Sequence, residues 1–220
     1  MSQNLTKKAE ELEKLGNLAK AAQIYCAVAE KSKSSEEQLF YLRKAIDTAK
    51  KGENYLLVFE FLKTFAKLFE NKEIQEQDFL NNGIELVQTH ILPSISENEK
   101  KAEVYTLLNN FALKAQLSSA EEFLYQAGKA WRATGKELIE TASPLTGRGK
   151  IERGIKAFLE AEEIFRYLQL PNEVVETLIE EAMGLFQRQE DQKAMELIQQ
   201  ALDVPNTNVE HTALIIGQSL

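Results

Sequence analysis

Ala9-Glu-Glu-Leu-Glu-Lys-Leu-Gly-Asn-Leu-Ala-Lys-Ala-Ala-Gln-Ile-Tyr-Cys-Ala-Val28 is the stretch on which the reading of this chain turns. Within it Ala9, Leu12, Gly16, Leu18, Ala21, Tyr25 and Val28 stand at offsets 0, 3, 7, 9, 12, 16 and 19. The order is small, large, turn, large, small, aromatic, medium. Apolar steps of three and four place one face of a helix against a core. A glycine between two such runs supplies the left-handed residue that ends the first helix. Two helices joined by so short a turn pack antiparallel, as a hairpin.

The same ruler returns near the other end, where Ala182, Leu185, Gln189, Asp191, Ala194, Ile198 and Ala201 occupy the same offsets. A looser copy, Ala45, Thr48, Gly52, Asn54, Leu57, Phe61 and Thr64, begins 36 residues after the first, with a large residue at its second small position. The pattern resembles the tetratricopeptide repeat, over residues 3–31 and 175–203. In that repeat small residues let two helices approach while a large one fills the gap beside them. The less regular hairpins between, and the Ala-rich stretch from Ala19 to Ala29, resemble the SNAP-type branch of the same superfamily. The resemblance implies an all-α, right-handed solenoid of antiparallel hairpins whose first helices line a concave groove. It further implies an adaptor that holds a partner helix or peptide there. Family members that clamp a terminal carboxylate use Lys and Asn on those inner faces; Thr6, Glu10 and Glu13 stand here, so that clamp is not expected.

Helical periodicity runs through the rest of the chain. It predicts helices over 3–15, 18–31, 35–50, 54–69, 75–92, 98–115, 119–134, 150–168, 173–188 and 191–203, with an eleventh over 208–217. No comparable stretch alternates with period two. Pro93, Pro144, Pro171 and Pro205 fall between the periodic runs, where a helix has to end. Ser35 with Gln38, Ser96 with Glu99 and Ser118 with Glu121 have the spacing of a capping box. Gly52, like Gly16, marks a turn. Short connections make consecutive helices pair, and a row of pairs is a solenoid. The expectation is one helical-repeat domain over 1–220, with an irregular connector at 135–150 and a capping segment at 206–220.

Composition narrows the function. A 44% apolar, 27% charged chain of 220 residues has the balance of a folded domain. No apolar run approaches the roughly 20 residues that cross a bilayer, and Met1 to Glu11 is unlike a secretory signal. Membrane insertion is therefore not expected, and the expected location is cytoplasmic. Cys26 is the one cysteine, so no intrachain disulfide forms. Of the formal charge of −8, residues 151–220 carry all of it, 5 Lys and Arg against 13 Asp and Glu. An acidic end repels phosphate backbones, which argues against a nucleic-acid partner.

Few residues have the look of chemistry. His90 and His211 stand far apart without metal-ligand spacing, and no cofactor is expected. Pro144-Leu-Thr-Gly-Arg-Gly-Lys150 suggests a phosphate loop, but a Walker loop needs glycine where Pro144 stands and Ser or Thr where Ile151 stands. Its Arg148 and Lys150, with Arg153, read instead as a solvated connector or as a basic loop that docks an acidic partner. Trp131 is read as core or as an interface hot spot. Ile179, Met183 and Phe186 fall on the inner face of the last clear repeat, where they hold a partner or receive the final helix. The expected function is a non-enzymatic scaffold for protein partners. The alternatives are a SNAP-like adaptor in membrane traffic and a regulatory domain that takes a phosphorylated or nucleotide ligand through the 144–153 loop.

Overall fold

The computed structural model describes residues 2–70, 77–143 and 147–207. These form ten α-helices and no strand: α1 (Ser2–Lys14), α2 (Leu18–Lys31), α3 (Ser35–Lys51), α4 (Tyr55–Leu68), α5 (Gln77–Leu86), α6 (Asn98–Lys114), α7 (Ala120–Glu140), α8 (Arg148–Tyr167), α9 (Pro171–Phe186) and α10 (Asp191–Leu202). A π-helical turn, Val87–Ile91, and a 3₁₀ turn, Leu92–Ser94, extend α5 to the proline that stops it. The eleventh helix expected over 208–217, and the cap beyond Thr207, lie outside the described residues.

Five of the turns between helices share one geometry. Gly16, Glu53, Gln116, Gln169 and Gln189 all have positive φ, between 52° and 76°. In each case the next residue's N–H reaches back to a carbonyl five residues earlier: Asn17 to Leu12, Asn54 to Ala49, Leu117 to Ala112, Leu170 to Phe165 and Glu190 to Leu185. This is the Schellman closure, which satisfies carbonyls that the end of a helix leaves open. Glycine supplies the left-handed residue only once. Gly52 has φ −91° and is the last residue before the left-handed Glu53. The looser copy therefore sits one residue later than the sequence ruler placed it, with Ile46, Ala49, Glu53, Tyr55, Val58, Leu62 and Phe65 at the seven offsets. Of these Ile46, Ala49, Val58, Leu62 and Phe65 are buried, whereas Leu57 and Thr64 are half-buried.

The chain divides into two compact units, residues 1–94 with 110–117, and residues 95–109 with 118–220. In the first, α2 packs on α1 and α3, and α3 on α4. Phe65 is surrounded by the rings of Phe69, Phe79 and Phe111 at centroid distances of 4.8, 4.6 and 5.6 Å. Lys114 Nζ donates to the carbonyls of Phe69 (2.9 Å) and Glu70 (3.0 Å), placing a cation at the negative end of α4.

In the second unit α7 packs on α8 and α9, α8 on α9, and α9 on α10. Glycines set how closely they approach. A Cβ on Gly135 would stand 2.7 Å from the Phe158 ring. Ile139 lodges between Gly154 and Gly184, whose Cβ atoms would stand 2.7 and 2.8 Å from it. Because Gly135 packs on Phe158, it does not end α7. That helix runs to Glu140, past the expected end at 134, and only 141–147 separate it from α8. Arg188 donates to the carbonyls of Ile139 and Ala142 and so closes the end of α7.

Candidate functional site

In the first unit, a cleft of about 210 Å³ opens between α3 and α5, with α4 beneath. Its floor is apolar: Ile46 of α3, Leu62 of α4, and Phe79, Gly83 and Leu86 of α5. Periodicity makes the walls. Arg43, Asp47 and Lys50 stand at i, i+4 and i+7 on α3, and Asp78 and Asn82 at i and i+4 on α5, so each set lines one edge. Arg43 lies over the Phe79 ring, 5.5 Å from its centroid. Asp47, Lys50, Asp78 and Asn82 are exposed and make no side-chain hydrogen bond or ion pair among the described residues.

Neighbouring pairs of helices treat their facing charges differently. Between α1 and α3, Lys44 meets Glu10 at 3.4 Å and Lys51 meets Glu13 at 3.0 Å. The Lys51 hydrogen bond holds the Glu13 carboxyl below its ordinary range. Tyr25 donates to Glu13 at 3.2 Å, and Lys44 lies over the Tyr25 ring. Between α7 and α9, Arg132, whose side chain is 14% exposed, pairs with Glu173 (2.8 Å) and Glu176 (3.1 Å) and stands 3.9 Å from Glu180. Tyr125 donates to the second oxygen of Glu173 at 2.9 Å. Those two seams are zipped by opposite charges, whereas the four rim residues of the α3–α5 cleft remain available above an apolar floor.

The residues singled out from sequence do not converge. Trp131 is half-buried against the cluster of Ala161, Phe165, Val174, Val175, Leu178 and Ile179. Ile179 is a buried member of that cluster, so it is not presented to solvent; Met183 packs at its edge. Phe186 packs against Ala182, Leu185 and Ala194 and thereby receives α10. Arg148, 93% exposed, pairs with Glu152 one turn along α8. Arg153 grips Glu99 of α6 through both carboxylate oxygens, at 2.9 and 2.7 Å, and Lys150 is exposed. Arg148 also lines an open cavity of about 620 Å³ with Ile151, Arg188, Glu190 and Lys193. Residues 144–146 of the glycine-bearing loop lie outside the described residues. The α3–α5 rim was missed because charges of both signs on a helix face read as ordinary solvation.

Burial, assisted by the charge of Glu30, pushes the Cys26 thiol up to about 11, so this cysteine is a buried filler rather than a nucleophile. His90 is exposed and stacks on Tyr55 with ring centroids 4.3 Å apart; His211 lies outside the described residues. Among the described residues no group of three His, Cys, Asp or Glu side chains could hold a metal ion, and no helix is long and apolar enough to cross a membrane. No family model and no curated protein matches the chain.

Proposed function

We propose that the chain is a non-enzymatic interaction scaffold, of the tetratricopeptide-like kind its hairpin ruler resembles, and that the α3–α5 cleft takes a side chain of a partner helix or peptide. The observation that carries this reading is the pairing of an apolar floor with Asp47, Lys50, Asp78 and Asn82 on the rim, which have no side-chain partner among the described residues. At about 210 Å³ the cleft is smaller than the roughly 300–1,000 Å³ of small-molecule pockets. One bulky apolar side chain suits it, as the anchor of a peptide. Asp47 and Asp78 favour a basic residue beside that anchor, and Lys50 favours an acidic one at the far end.

A photo-crosslinking amino acid at Asn82 tests this in the source cell. The expected result is reproducible capture of one protein class, weakened about tenfold by Asp47→Lys with Lys50→Glu while the melting temperature stays put. Capture indifferent to that charge exchange, or no reproducible partner, overturns the reading. The SNAP-like version predicts a coiled-coil bundle among the captured proteins. A second reading rests on the cavity at the start of α8, where Arg148, Arg188 and Lys193 favour a phosphorylated or nucleotide ligand. It predicts that such compounds raise the melting temperature.

A further inference from the structure

Of the five hairpins closed by this turn, four each lie within a single compact unit, and these superpose by their left-handed residues, Gly16, Glu53, Gln169 and Gln189. Seven residues before that point and twelve after it lie Ala9 and Val28 in α1/α2, Ile46 and Phe65 in α3/α4, and Ala182 and Ala201 in α9/α10. All six are buried and apolar. In α8/α9 the same two places are held by Glu162 and Glu181. Glu181 is 5% exposed and has no hydrogen-bond or ion-pair partner among the described residues. Glu162 pairs with Arg166 of its own helix at 2.7 Å.

Among the described residues nothing facing Glu181 neutralises it. From α8 comes the like charge of Glu162. The cations that α7 turns toward α9, Arg132 and Lys136, are taken up by Glu173, Glu176 and Glu180. α10 packs on α9 through uncharged Ala194, Leu197, Ile198 and Ala201, while its Asp191, Lys193 and Glu196 are exposed. A carboxylate in such a place is destabilising, and a carboxylic acid is tolerated.

We propose that Glu162 and Glu181 make the α8/α9 seam a proton-operated latch: the helices pack closely while Glu181 carries a proton and loosen when it is released. Burial first, and the Glu162 charge second, push the Glu181 carboxyl up to about 7 from an ordinary 4.5. Between those values the folded chain holds a proton that the unfolded chain has lost. The stability this contributes is complete below the ordinary value and is lost as pH rises through the folded one. A salt-bridged carboxylate behaves in the opposite way.

Hydrogen exchange on the whole chain at about pH 6 and about pH 8, corrected for intrinsic rates, reads the latch directly. The amides of α8 and α9 in the wild type are expected to lose protection by about tenfold over that interval. Glu181→Gln, which keeps a neutral polar group, is expected to hold its protection within about threefold. Equal behaviour of the two proteins overturns the latch, as does flat protection in the wild type. Should Glu181→Gln fail to fold, Glu162→Gln removes the like charge and must move the midpoint to lower pH. An unmoved midpoint is then the refuting result.

Discussion

At the scale of single residues, backbone conformation is where the chain departs most from what its side chains prefer. Glu53, Gln116, Gln169 and Gln189 hold the left-handed region, which costs a residue with a Cβ roughly 1–2 kcal/mol. The Schellman hydrogen bonds and the hairpin packing impose it. Gln189→Gly is expected to raise stability by about 0.5–1 kcal/mol, part of the relief being returned as backbone entropy in the unfolded chain. Urea denaturation with an unchanged m-value checks this; a loss of stability would show that the Gln189 side chain has a role beyond its backbone. These positions also explain the one-residue error in the looser repeat. The sequence offers Gly52 as the turn residue, whereas its neighbour Glu53, an ordinary glutamate, makes the turn.

Between elements, packing is set by small residues and by which charges find partners. Gly128 and Gly135 of α7 and Gly154 of α8 permit approaches at which a Cβ would stand 2.7–2.8 Å from its neighbour. Propensity alone reads such glycines as weak points in a helix. The Arg132 network then ties α7 to α9. Removing Arg132 leaves Glu173 facing α7 without its cation, while Glu180 keeps Lys136 at 3.9 Å. These acids are partly exposed, so solvent offsets much of the loss. Arg132→Met is expected to cost about 1–2 kcal/mol at low ionic strength, with the difference from wild type shrinking at about 1 M salt, where screening acts over about 3 Å. A penalty independent of salt would assign the role of Arg132 to its guanidinium over the Phe165 ring instead.

On the scale of the whole molecule, α6 is the element common to both compact units: its first part belongs to one and residues from Asn110 onward to the other. A continuous helix transmits unfolding because each turn's hydrogen bonds support the next. The wild type is expected to unfold in one transition by circular dichroism. Asn110→Pro removes one backbone bond and crowds the preceding turn, at roughly 3 kcal/mol or more, and is expected to split that transition in two. Two transitions in the wild type, or one in the variant, would mean that α6 does not couple the units.

What the sequence alone determined is local: ten helices, their approximate ends, the hairpin turns and the recurrence of the ruler. Each follows from a periodicity of three to four residues or from the chemistry of a turn, and both act within one stretch of chain. Tertiary structure decided what depends on residues far apart. It kept Gly135 inside α7 because Phe158 lies against it, and it buried Ile179, which sequence offers equally to a partner or to the final helix. It also brought Arg43, Asp47 and Lys50 opposite Asp78 and Asn82, and buried Glu181 within reach of the Glu162 charge. A charge on a helix reads the same in sequence whether water, a partner or another carboxylate faces it, and only the packing of helices says which.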